Sequence, residues 1–452
     1  MTTTLLALLT LVVGYIVVAR PPVMLIPLAL LVYIKWQHLS LGGIFIDGSD
    51  VITGGLATAL VLRSEMRSEL QKARFPMLLP WLFLVCWSSV AYLQADLNQR
   101  YVAGASPVQL GYQLYRYAWK DLIYFPIALV LLRQARGRRV LTASIIAFGI
   151  ALAAYAIPEG MNGIRAGAPL GGPNSLSPAL IAPILFAFGY LIADQSIKRR
   201  WLLIGILLIL VRALLFTRSR GGMTGCMAGA VVIFGLLFLK GERRTTAVKW
   251  GLAISLGILM VLMVFPSILD RPNVAEALTI FSPSDQHTFQ WRTQERWPYF
   301  LEKIKNNLWL GVGTDFDSYF GPTAATPHNG YASLSLISGV PAMLTWVLFA
   351  AVAGLAGFRT TMRSGWGERH VFSLCAMASV VGYLTHNLVD RVLATPVIAK
   401  TFWMLVAVLM LTWLEARDPQ ASETESEELA PAPSPDLVLA RGGSRARGAE
   451  WA

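Results

Sequence analysis

Charge is scarce in this chain. Only 14% of its 452 residues are charged, against 55% hydrophobic residues and a mean hydropathy of +0.55. A soluble domain carries roughly a quarter charged residues, so this shortage excludes water as the main solvent. Cysteine is scarcer still. Cys86, Cys226 and Cys375 are the three present, each inside an apolar run and without metal-ligand spacing, which excludes a disulfide framework and a zinc site and leaves buried small hydrophobes as the expectation. A nucleotide-cradling loop is missing too, since Gly311-Val312-Gly313 is a short GxG outside the apolar runs. A basic-aromatic surface for nucleic acid is not needed to explain the net charge of +12, because loop charge accounts for it.

What the chain has instead is a succession of long apolar runs. A helix needs about 20 mostly apolar residues to cross a hydrocarbon core, where no water satisfies open backbone groups. Runs of this kind lie near 4–19, 23–34, 43–62, 77–94, 118–133, 140–157, 175–193, 201–217, 222–239, 250–267, 331–357, 371–388 and 396–414. The 23–34 run is short and follows Arg20-Pro21-Pro22, so it reads either as a crossing or as a re-entrant half-span. The fold class expected is therefore an all-α integral membrane protein of about 12–13 transmembrane helices.

Lys and Arg are retained in cytoplasmic loops, and here they fall in alternate ones. Arg63/Arg67/Lys72/Arg74, Arg133/Arg136/Arg138/Arg139, Lys198/Arg199/Arg200, Lys240/Arg243/Arg244/Lys249 and Arg359/Arg363/Arg369 mark one face. The loops near 95–117, 158–174, 218–221, 268–330 and 389–395 then belong to the outer face, with 268–330 as the sizeable extramembrane segment. The first run lacks a charged n-region and a small-residue cleavage site, so its retention is expected. Residues 415–452, rich in Glu, Ser, Pro and Ala, read as a disordered cytoplasmic tail following a membrane domain over 1–414.

Polar clusters beside lipid are expensive and are functional candidates by default. Four lie on the outer side: Gly171-Gly172-Pro173-Asn174, Thr217-Arg218-Ser219-Arg220-Gly221-Gly222, Trp291-Arg292-Thr293-Gln294-Glu295-Arg296-Trp297 and Pro327-His328-Asn329-Gly330. Arg220 sits where two runs meet with almost no loop, beside glycines that permit a tight turn, and a guanidinium fork suits phosphate oxygens. An arginine snorkelling to headgroups is the competing explanation. Arg292 and Glu295 are expected on one face of a helix opening the outer-loop cluster, which an amphipathic interfacial helix explains equally well. His328 is a candidate base for an alcohol, or else part of an Asn/His cap on the next helix. His386 and Asp390 form a similar, weaker pair, while His38, His287 and His370 read as structural. The outer carboxylates Asp285, Glu295, Asp315 and Asp317 show no paired-acid spacing that would mark a glycosidase.

Two arginines and a histidine near lipid suit an anionic lipid-linked substrate. In this the sequence resembles the O-antigen ligase and polymerase superfamily of bacterial envelope glycosyltransferases. The resemblance covers most of 140–414 and rests on motif order: Pro173-Asn174, Ser219-Arg220-Gly221, Trp291-Arg292-Thr293-Gln294-Glu295, Leu310-Gly311-Val312-Gly313, Pro327-His328-Asn329-Gly330 with Gly339 downstream, and Asp390 before the last run. It implies a GT-C-like helical fold in the inner membrane. It also implies glycan transfer from undecaprenyl diphosphate at the periplasmic face to a hydroxyl of lipid A-core or another envelope acceptor, without metal, nucleotide or other cofactor. On that resemblance Arg220, Arg292 and His328 are the catalytic candidates, and Arg218, Ser219, Glu295, Arg296, Asn329 and Asn174 the substrate-binding ones. Arg292 and Arg296 remain alternatives for the diphosphate contact. A polymerase using the same donor, a lipid-linked sugar transporter and a non-catalytic scaffold are the competing readings.

Overall fold

The computed structural model describes residues 2–20, 22–31, 39–41, 44–71, 75–99, 114–115, 119–193, 196–241, 244–246, 248–252, 294, 297–313, 327–363, 367–391 and 395–415. Along the N-terminal half run α1 (Thr2–Ala19), α2 (Leu25–Leu31), α3 (Gly48–Leu62), α4 (Ser64–Gln71), α5 (Phe75–Gln99), α6 (Tyr124–Leu131) and α7 (Ala135–Met161). They are followed by α8 (Pro173–Ala179), α9 (Ile181–Ala193), α10 (Ile197–Phe216), α11 (Arg220–Leu239), α12 (Trp297–Asn306), α13 (Gly330–Arg363), α14 (Glu368–Asn387) and α15 (Pro396–Glu415). Every expected crossing contains helix where it is described, although all but the first three residues of 250–267 lie outside the described residues.

The protein is an all-α integral membrane protein. Five spans among the described residues are long and apolar enough to cross a bilayer: Ala135–Met161, Pro173–Ala193, Arg220–Leu239, Gly330–Arg363 and Pro396–Leu414. The strands among the described residues form one antiparallel hairpin, β1 (Leu39–Leu41) against β2 (Ile44–Ile46), with Leu41 opposite Ile44. It corrects the expected 43–62 crossing, whose helix starts only at Gly48. The reason is local: Asp47 accepts from the Asp50 amide and Asp50 accepts from the Asp47 amide, a reciprocal cap that fixes the helix start. Of the cysteines, Cys375 is buried but Cys86 is exposed, because it falls on the same face of α5 as the exposed Leu79, Phe83 and Val90.

The basic loops meet one another. Arg133 pairs with Glu69 at 2.9 Å and Arg139 with Glu368 at 2.9 Å. Lys240 donates to the Thr361 carbonyl and lies 3.2 Å from Nδ1 of the buried His370. Four of the basic segments read from the sequence thus share one end of the bundle, about 30 Å along α11 from Arg220.

The opposite end is shaped by glycines. Gly221, Gly225 and Gly229 recur every fourth residue on α11, so they share one face. A Cβ at Gly225 would come within 2.7 Å of the Gly382 carbonyl, and one at Gly229 within 2.8 Å of the Ala378 carbonyl. α11 and α14 therefore cross backbone to backbone, the small-residue packing that membrane helices favour.

α13 is bent. Gly339 has φ +81° inside it, and the Tyr331 and Trp346 ring centroids stand 5.9 Å apart, whereas a straight helix would separate those residues by about 22 Å along its axis. The bend is stitched from outside: Val312 donates to Leu336, Gly313 to Ile337, and Val340 to Leu308. Trp87 of α5 adds indole hydrogen bonds to the Trp309 and Ser338 carbonyls at 3.2 and 3.0 Å. The Gly311-Val312-Gly313 motif is thus a brace for this bend.

Candidate active site

Two of the four polar clusters are brought together at the C-terminal end of α14. The first is the Arg220 turn. α10 stops at Phe216, Thr217 is fully buried with its hydroxyl on the Leu214 carbonyl, and Arg218 takes φ +50°. Ser219 then caps α11 by accepting from the Gly222 amide at 3.4 Å. Arg220 is consequently the first residue of a 20-residue helix, half-buried, at the end that carries the positive pole of the helix dipole. Its neighbour Gly221 is pressed against the Cδ2–Nε2 edge of the His386 ring and against Val389.

The second is the His328 segment. Asn329 Oδ1 accepts from the Tyr331 and Ala332 amides at 3.0 Å, capping α13, while its Nδ2 donates to the Leu388 carbonyl at 3.0 Å. The Tyr331 hydroxyl donates to the Leu384 carbonyl at 2.9 Å. Gly330 is in direct contact with the Asn387 side chain, where any Cβ would collide. These contacts hold His328 at φ +45°, with Nδ1 3.6 Å from Asp390 Oδ1. Left-handed backbone at a non-glycine residue is uncommon and gathers at functional sites.

Asp390 is itself fixed by α14: its amide donates to the His386 carbonyl at 3.1 Å, and its Oδ1 accepts from the Arg391 amide at 2.7 Å. Burial pushes its carboxyl pKa up. That push is outweighed by the His328 ring, the Arg391 amide and the charge of the two histidines, so the group is held below its ordinary 3.8. An ionised carboxylate therefore faces a half-exposed imidazole. That arrangement suits a histidine that accepts a proton and an aspartate that stabilises the resulting imidazolium.

Asn174 lies on a different side of the Arg220 turn. Arg165 bridges them, donating from Nε to the Thr217 carbonyl at 2.9 Å and from Nη2 to the Arg218 carbonyl at 3.3 Å and to Asn174 Oδ1 at 3.5 Å. Arg218 in turn donates to the Gly163 carbonyl at 3.3 Å. Nothing local in the sequence marks Arg165 as a brace for a turn 52 residues away. The four-residue spacing of Gly221, Gly225 and Gly229 is the sequence signal for the helix contact that carries the site.

Arg292, Glu295 and Arg296 lie outside the described residues, as do Asp285, Asp315, Asp317, His38 and His287. The cluster that contains them is nevertheless tied to the site at its far end, where the Trp297 indole donates to the Pro327 carbonyl at 3.2 Å. α12 then packs Phe300 and Ile304 on Leu336. Among the described residues no group of three His, Cys, Asp or Glu is arranged to hold a metal ion.

Residues 204–347 match the family model described as O-antigen ligase. The match takes in Arg220, the α12 helix, the 308–313 brace and His328, and ends before His386 and Asp390. No curated protein matches the chain.

Proposed function

We propose, on the premise that the match at residues 204–347 puts this chain with the O-antigen ligase and polymerase superfamily, that it is a ligase moving a glycan from undecaprenyl diphosphate to an acceptor hydroxyl at the outer face of the inner membrane. The observation that carries this reading is the convergence of the Arg220 turn and the His328 segment on residues 386–390. Arg220, at a helix N-terminus, receives the diphosphate, with Arg292 or Arg296 as a second cation and Arg218, Ser219 and Asn174 around the same turn. The bond from the sugar C1 to the diphosphate oxygen breaks, and its electron pair leaves with undecaprenyl diphosphate, whose growing charge the arginines stabilise. The acceptor oxygen bonds to C1, and its proton passes to His328, backed by Asp390, with Asn329 and Glu295 placing the acceptor and the outer-loop helix. The donor arrives laterally through lipid, and lipid A-core supplies the chemistry expected of an acceptor.

The test is transfer of labelled glycan from carrier lipid by purified protein in nanodiscs with no gradient. Arg220→Ala, Arg292→Ala and His328→Ala should each reduce transfer by ~10²-fold or more at unchanged protein level. Normal transfer in all three would sink the site assignment. Transfer without a gradient separates the enzyme from a transporter. In a deletion strain, polymer accumulating on carrier lipid marks a ligase, and single repeats mark a polymerase.

A further inference from the structure

His386 takes no part in the chemistry above, yet it touches both halves of the site. Its side chain is 1% exposed. The Cδ2–Nε2 edge of its ring lies against Gly221, next to Arg220, while its carbonyl accepts from the Val389 and Asp390 amides at 3.0 and 3.1 Å. Asp390 in turn faces His328 at 3.6 Å. Among the described residues, the ring's Nδ1 is buried without a hydrogen-bond partner. A buried polar atom left unpaired costs about 1–3 kcal/mol, so His386 holds this place at a cost to stability rather than for it.

We infer that His386 is a positioning residue for glycan transfer: its imidazole is the spacer that sets the Arg220 turn at a fixed distance from the Asp390–His328 pair. The inference rests on the functional reading given above and adds a residue that does not contact the reacting atoms. Its logic is geometric. The diphosphate and the attacking hydroxyl meet at one carbon, so the group holding the first and the group deprotonating the second must keep a fixed separation. Arg220 begins α11, whereas His328 precedes α13. The two are registered through the end of α14, where Gly221 lacks a side chain because His386 fills that space.

The experiment pairs two readouts. One is transfer of labelled glycan in membranes of a deletion strain carrying each variant, which supplies native donor and acceptor. The other is binding of undecaprenyl diphosphate to the purified variant. His386→Ala should lower transfer by ~10²-fold, the effect of about 1 Å of misplacement, while undecaprenyl diphosphate affinity stays within about threefold, because Arg220 itself is untouched. His386→Gln, which keeps a polar side chain of similar reach, should recover much of the transfer, and it carries the test should the alanine variant not fold.

Gly221→Ala should also cut transfer, since its methyl meets the ring. The double variant Gly221→Ala/His386→Ala should be no worse than the poorer single variant, whereas independent effects would multiply. Unchanged transfer in His386→Ala, or transfer and carrier binding falling in parallel with folded protein, would overturn the inference. Arg220→Ala and His328→Ala in the same assay separate the two levels. If they also retain transfer, the functional reading is wrong. If they abolish it while the His386 variants do not, only the spacer role is.

Discussion

Asp390 illustrates how much a single residue depends on its setting. A carboxyl in this place is raised by burial, and only the His328 ring, the Arg391 amide and the histidine charge bring it below 3.8. The sign of its effect on stability follows. A carboxyl lowered in the folded state contributes stability that is fully present above its unfolded value and is lost as pH falls through the folded one. Thermal unfolding in detergent should therefore show wild type above Asp390→Asn by a constant margin from about pH 8 to about pH 5, closing below about pH 4. A margin that closes near neutral pH instead would mean that histidine titration, not the carboxylate, sets it. His328 and Asn329 teach a related lesson. Both candidate roles for this pair, base and cap, stood open in the sequence. In the structure Asn329 forms the cap, while His328 faces Asp390.

At the scale of elements, the bend in α13 does most to build the site. It aims the first turns of that helix at Leu384 and Asn387 of α14 and at Leu388 just beyond it, while the remainder continues as a span. The bend depends on Gly339, where φ is +81° and a Cβ would strike the Trp309 carbonyl. Gly339→Ala should lose transfer and destabilise the protein by roughly 2 kcal/mol or more, from left-handed strain of about 1–2 kcal/mol plus the collision. Gly354 is the internal control, since it lies in the same helix with open space around it. Gly354→Ala should leave transfer unchanged and match or slightly raise the melting temperature. Equal damage from both variants would mean that the bend is not what Gly339 supplies. The sequence placed Gly339 and Gly311-Val312-Gly313 in a family pattern, but their partnership is a backbone contact across some 27 residues. No local periodicity encodes that.

Across the whole molecule, the N-terminal half is held by buried charge that the family match does not reach. Lys120, 6% exposed, lies 2.6 Å from Asp50 and 3.2 Å from Asp47. Lys400 of α15 donates to Ser49 and sits 4.8 Å from the Tyr124 ring centroid. The network joins α3, the start of α6 and α15, and α15 stacks Phe402 on Trp346 of α13. Removing one partner of a buried pair typically costs about 3–5 kcal/mol because the other charge is stranded. Lys120→Met should therefore abolish recovery of monodisperse protein, whereas Arg139→Ala, breaking a pair whose arginine is 52% exposed, should change stability by less than about 1 kcal/mol. Comparable recovery of the two by size-exclusion chromatography would refute the ranking.

Apolar run length, alternation of basic loops and short polar motifs are properties of neighbouring residues. The sequence alone was accordingly enough to determine a helical membrane protein, the sharing of one end by its basic segments, and the identity of Arg220 and His328 as candidates. Transfer energies and loop charge are read residue by residue, and they vary little with what lies across the bundle. Only the tertiary structure decided that the Arg220 turn and the His328 segment both pack against residues 386–390, that Arg165 braces the turn, and that Lys120 and Lys400 anchor the other half. Those outcomes depend on how closely helices cross. That closeness is set by the side chains missing at Gly221, Gly225 and Gly229 and by the single left-handed residue that bends α13.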